Sequence, residues 1–127
     1  MRPFSFSKKE RLKSRKAIAA LFKQKQSVGA YPLRFFYMER AFDATQSLQA
    51  TFSVSKKHFK KAVDRNRIKR LIRESYRLQK QKLLDALSEK EKSVAGMWVF
   101  VGTELCSFSE MHKAVRKTID KLIQQLG

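Results

Sequence analysis

A single cysteine, two prolines, four glycines and only eleven acidic residues stand among the 127 positions of this chain. Lone Cys106 has no intrachain partner for a disulfide and cannot form a thiolate-rich metal site, so its plain reading is a buried free thiol. With so little glycine and proline the chain is weakly punctuated. No linker, repeat or low-complexity tract divides it, and one continuous domain is expected over residues 1–127. Its length leaves room for one sizeable core, which argues against a multidomain enzyme. No segment approaches the roughly 20 apolar residues of a membrane span, and MRPFSFSKKERLKSRK lacks the apolar stretch of a signal peptide. A soluble, cytoplasmic protein with no membrane partner is expected.

Catalytic apparatus is equally scarce. His58 and His112 are the only histidines, fall in different elements and lack metal-ligand spacing. Glycine-rich phosphate loops and usefully spaced carboxylate pairs are absent. No catalytic residue and no protein-held metal are expected.

What the chain has in excess is positive charge. Twenty-nine Lys and Arg leave a formal net charge of +18, a self-repulsion that a polyanion would neutralise, so nucleic acid is the expected partner. The chain also has the means to fold, because 43% of it is apolar and it contains ten Phe, three Tyr and one Trp.

Along the chain, Ser14 is a plausible N-cap for a first helix through RKAIAALFKQ, with Ile18 and Phe22 one turn apart. Gly29 and Pro32 break the next stretch. From Leu33 to Met38 the pattern is strand-like, with Leu33, Phe35 and Tyr37 on one face and Arg34, Phe36 and Met38 on the other. LQATFSVS alternates Leu48, Ala50, Phe52 and Val54 with Gln49, Thr51, Ser53 and Ser55, the two-residue period of a strand with one buried face. The 28 residues from Lys60 to Leu87 contain neither Gly nor Pro and predict a long helix. SEKEKSVAG follows as its exit loop and MWVFVG as a buried strand. The final segment places Met111, Val115, Ile119, Leu122 and Ile123 on one helical stripe, with Ser107 and Glu110 as a capping box. The expected architecture is α+β, a two-layer sandwich of three helices on a small sheet.

The long helix is the most informative element. At about 100° per residue, Ile68, Leu71, Ile72 and Ser75 share one side, and Asn66, Lys69, Arg70, Arg73, Arg77 and Lys80 form a stripe opposite. Ordinary surface helices mix acids with bases, yet from Lys56 to Lys82 twelve bases face only Asp64 and Glu74. The stripe is therefore expected to meet phosphate, with arginine forks for bidentate contacts and Asn66 as a neutral donor and acceptor. Arg65 and Arg67 flank it. A second candidate site is a trough bordered by Ile18 and Phe22 and floored by Phe36, Ser53 and Ser55, with Lys56 at its end, where unpaired bases could stack; ordinary core packing is the competing account of Phe22 and Phe36.

FSVSKK (52–57) followed by AVDRNRIKRLIRESYR (62–77) resembles the signature of the protein subunit of bacterial ribonuclease P, whose hallmark is an RNR motif in a helix, here Arg65, Asn66 and Arg67. RLKSRKAIAALFK (11–23) is similar to the first helix of that family. The resemblance implies a ribosomal-protein-like α+β sandwich with a mixed sheet and a left-handed βαβ crossover. It implies a non-catalytic protein component that assists a catalytic RNA in removing the 5′ leader of precursor tRNA, with Mg2+ bound mainly by the RNA. Ribonuclease P RNA and precursor tRNA are then the partners, and no obligate protein partner is expected. The resemblance assigns the helix of Arg65, Asn66, Arg67, Lys69, Arg70, Arg73 and Arg77 to the RNA and the trough to the leader. Ile18 departs from the aromatic residue common at its position, and Phe36 stands where some members have tyrosine. Two other readings explain part of the pattern: a ribosomal RNA-binding protein that only neutralises phosphate, and an autonomous nuclease using His58.

Overall fold

The computed structural model describes Lys16 and residues 26–127. In chain order the elements are β1 (Ser27–Ala30), β2 (Leu33–Arg40), β3 (Leu48–Val54), α1 (Ala62–Lys90), β4 (Ser93–Phe100) and α2 (Phe108–Gln125). The four strands form one mixed sheet in the order β1-β2-β4-β3. β1 with β2 and β2 with β4 are antiparallel, whereas β3 and β4 are parallel neighbours. Parallel neighbours need a crossover, and α1 supplies it.

Strand register sorts the side chains into two faces. On the core face the rows are Leu33, Phe100 and Val54; then Phe35, Trp98 and Phe52; then Tyr37, Gly96 and Ala50. Trp98 is fully buried at the centre. Its ring centroid lies 4.7 Å from that of Phe35 and 5.6 Å from that of Tyr76 on α1. Phe59, just before α1, meets Phe100 edge-on at 5.7 Å. α1 contributes Ile68, Ile72, Tyr76, Leu83 and Leu87 to this core, and α2 contributes Met111, Val115, Ile119 and Leu122.

The expected count of three helices is corrected: the described residues contain two helices on a four-stranded mixed sheet. Four strands at about 4.8 Å spacing span roughly 19 Å, and two helices of about 10 Å diameter cover that width. The first expected helix, with Ile18 and Phe22, lies outside the described residues. The expected exit loop is also corrected. α1 runs on to Lys90, and Ser93 already belongs to β4, so the turn is only Glu91 and Lys92. Glu91 takes a left-handed conformation (φ 51°), and its amide and that of Lys92 close onto the carbonyls of the last turn. A polar run rich in Glu and Lys reads as a loop by composition, but these residues favour helix.

At α2 the expected capping box is present: the Glu110 amide donates to Ser107 Oγ at 3.2 Å and the Ser107 amide to Glu110 Oε1 at 3.3 Å. Lys121 Nζ ties the helix to the Gly29 carbonyl at 2.7 Å.

Gly96 is the tightest point of the core face, since a Cβ there would lie 2.1 Å from the Phe35 ring. Gly96→Ala is expected to destabilise the fold by about 1–3 kcal/mol, the usual range for overpacking, as a lowered midpoint in urea unfolding; a wild-type midpoint would mean that the Phe35 ring yields freely.

Candidate nucleic-acid interface

α1 turns a buried side to the sheet, and its opposite side lies in solvent. Asn66, Arg67, Lys69, Arg70 and Arg73 are all exposed. Lys69, Arg70 and Arg73 make no ion pair, and the Asn66 side chain makes no hydrogen bond, among the described residues. About two turns of helix thus present guanidinium, ammonium and amide groups whose donors are open to an incoming anion. Asp64 is the sole acid of the first turn, where it complements the helix dipole.

Three residues of the expected surface are placed differently. Arg65 turns back: its Nη1 donates to the Phe59 carbonyl at 2.7 Å and the Lys60 carbonyl at 2.9 Å. This clamp holds the segment entering α1, whose N-cap position, Lys61, makes no side-chain cap. Arg77 is hydrogen-bonded to Glu74. That bond, opposed by partial burial and aided by the charges of Arg77 and Arg73, holds the Glu74 carboxyl below the usual carboxylate range. Lys80 is 2% exposed and belongs to the inner side. The buried arc of α1 begins at Ile68 and Ile72 and drifts through Tyr76 and Lys80 to Leu83 and Leu87, as a helix laid on a twisted sheet requires. A stripe extrapolated along a straight helix carries Lys80 outward; the drift carries it in, with its stem as packing material.

Of the trough residues, Phe36 and Ser53 lie on the second face of the sheet, in adjacent rows: Phe36 beside Met97 and Thr51, and Arg34 beside Val99 and Ser53. Both are half-buried. Ala95 and Met97, with Met38 and Val99 against them, give this face a small apolar cluster of its own. Ser55 and Lys56 are exposed just beyond β3. Ser55 Oγ accepts the Lys57 amide at 3.1 Å, and its carbonyl accepts the Phe59 amide at 3.2 Å, which fixes the turn that presents Lys56. Ile18 and Phe22 lie outside the described residues. Arg34 and Thr51 join this face without having been singled out; the alternation that set Arg34 beside Phe36 was the available signal, and the pairing of β2 with β4 was needed to use it.

The groups a protein nuclease would need are not gathered. His58 precedes the first turn of α1, whereas His112 packs beside Gln79, about 25 Å farther along the helix axis at 1.5 Å per residue. Among the described residues no group of three or more His, Cys, Asp or Glu could hold a metal ion. Partial burial, with the nearby Glu110 carboxylate, raises the Cys106 thiol, the opposite of an activated nucleophile. No helix of the described residues is long and apolar enough to cross a membrane.

Fold and surface together define an α+β protein with a cationic helix face and a second, partly apolar sheet face. Comparison with known proteins assigns it further. A family model described as Ribonuclease P matches residues 6–123, and the chain belongs to that family. It is 36% identical over 119 residues to a ribonuclease P protein component of Porphyromonas gingivalis, covering 94% of this chain and 87% of the relative. It is 38% identical over 96 residues to the one from Chlorobium phaeobacteroides, covering 73% and 66%. The Staphylococcus aureus RNase P protein shares the fold, with a TM-score of 0.68 at 19% identity over 89% of this chain and 94% of that one.

Glu74 is the acid beside the exposed bases of α1. Glu74→Gln is expected to tighten binding to structured RNA and to steepen the salt dependence by up to about one unit in log–log slope, measured by filter binding across salt; weaker binding by a folded variant would mean that Glu74 positions Arg77 for the RNA.

Proposed function

We propose that this protein is the non-catalytic subunit that binds the catalytic RNA of ribonuclease P and the 5′ leader of precursor tRNA, promoting magnesium-dependent endonucleolytic cleavage that leaves the mature 5′ end. The observation that carries this is the exposed run Asn66, Arg67, Lys69, Arg70 and Arg73, in which Lys69, Arg70 and Arg73 form no salt bridge among the described residues. Each base that meets a phosphate displaces condensed counterions, which supplies affinity that is steep in salt. Asn66 adds a hydrogen bond that can read local geometry.

The second sheet face takes the leader. Phe36 gives it an aromatic floor, Ser53 and Ser55 give small polar contacts, and Lys56 at the end of β3 meets backbone phosphate. Phe22 and Ile18 complete the trough in this reading. The protein residues then raise local substrate concentration and orient the leader, while the bond to be cleaved lies in the RNA's own site. In this reading magnesium belongs to the RNA, where it would activate water and stabilise the developing phosphoryl charge. The cytoplasm is the compartment in which such a particle would work.

Reconstitution with the catalytic RNA at low magnesium tests the proposal. Precursor processing is expected to rise strongly on adding the protein. Arg70→Ala and Arg73→Ala should each weaken assembly and lower the salt slope by about one. Lys56→Ala should weaken precursor tRNA relative to mature tRNA, since only the precursor has a leader. Processing unchanged by the protein would favour a ribosomal role that only neutralises phosphate, and equal effects of Lys56→Ala on both tRNAs would remove the leader from the sheet face.

A further inference from the structure

The first turns of α2 carry a cluster that neither the α1 stripe nor the second sheet face uses. Phe108 and His112 stand one turn apart with ring centroids 5.4 Å apart and planes inclined by 33°. Phe108 is 41% exposed, so one face of its ring is open to solvent. His112 is held from α1: Gln79 Nε2 lies 3.3 Å from its Nδ1 and donates to its carbonyl at 3.0 Å. With Ser109, Lys113 and Arg116 the two rings line an open groove of about 460 Å³. Lys113, Arg116 and Lys117 are exposed and make no ion pair among the described residues. The acids nearby are engaged, Glu110 in the capping box and Asp120 with Lys82. Exposed bases on a capped helix are common and mark nothing by themselves. Here they border an aromatic platform whose second ring, His112, is held by a helix–helix contact and backs the ring of Phe108.

We propose that this groove is a second RNA contact, which takes an unpaired nucleotide with its base against Phe108 and its flanking phosphates on Lys113 and Arg116. Stacking tolerates any base because each has a π-face, and paired cations along the backbone give the usual complement. A partner protein would need an acidic patch to match these bases, whereas RNA brings that charge with every nucleotide. The inference rests on the RNA-binding reading above but concerns a separate surface. Gln79, which marks the α2 side of α1, lies roughly 130° around the helix axis from the middle of the Asn66–Arg73 stripe at 100° per residue. One flat duplex cannot cover both, so the groove meets a different segment of the RNA.

Full-length protein bound to ribonuclease P RNA across a salt series tests this, with Arg70→Ala as a reference for the α1 surface and circular dichroism to verify folding. Phe108→Leu, which retains an apolar side chain without the ring, should weaken binding roughly 5- to 100-fold, the loss expected for one stacked base, with the salt slope unchanged. Lys113→Ala with Arg116→Ala should lower the slope by about two. Arg40→Ala with Lys90→Ala, which removes the same charge elsewhere, should leave the slope near wild type. Wild-type affinity for Phe108→Leu, or an equal slope change in the control pair, would overturn the proposal even if Arg70→Ala binds weakly. Unchanged binding of Arg70→Ala would count instead against the α1 reading and leave the α2 variants to decide this one.

Discussion

The packing of α1 against the sheet decides where most of the charge goes. A helix of 29 residues that seats Ile68, Ile72, Tyr76, Leu83 and Leu87 on a sheet built around Trp98 has its remaining positions fixed in direction by the 3.6-residue turn. The bases between Asn66 and Arg73 are thereby held outward on a rigid rod, and like charges that would spread apart on a flexible chain stay aligned. The hydrophobic contact is thus what makes the cationic surface a surface. Free energy from apolar burial offsets the repulsion among these groups, and a polyanion relieves it.

The same rod separates roles among residues that look alike in the sequence. Arg65 and Arg67 flank Asn66 symmetrically in the chain, yet Arg65 binds the Phe59 and Lys60 carbonyls while Arg67 is exposed. Arg73 is open and Arg77, one turn on, is bonded to Glu74. The proposed RNA surface is accordingly narrower than the motif, centred on Asn66, Lys69, Arg70 and Arg73. Arg65 supports it from behind by fixing how the chain enters the helix.

Much of the fold was legible because local periodicity and chain direction determine it. β3 showed its two-residue alternation, α2 its apolar stripe and its Ser107–Glu110 capping box, and α1 its dry and charged sides. Other features depend on long-range pairing that periodicity does not encode. That Arg34 and Phe36 share a face with Ser53 requires β4 to lie between β2 and β3, and that Lys80 is buried requires the sheet's twist. The start of β4 at Ser93 was hidden because a short αL turn at Glu91, rather than a glycine, ends α1. The Gln79–His112 contact that steadies the α2 groove joins residues 33 positions apart and has no local signature. Among the described residues the elements follow the expected order, with two helices where three were expected.

Acetylation footprinting of the intact protein, alone and saturated with ribonuclease P RNA, tests the central claim most directly. If the outward side of α1 docks on the RNA, Lys69 loses most of its reactivity in the complex while exposed Lys121, tied to β1 on the far side of α2, keeps its own. Full reactivity of Lys69 in a saturated complex would contradict the account.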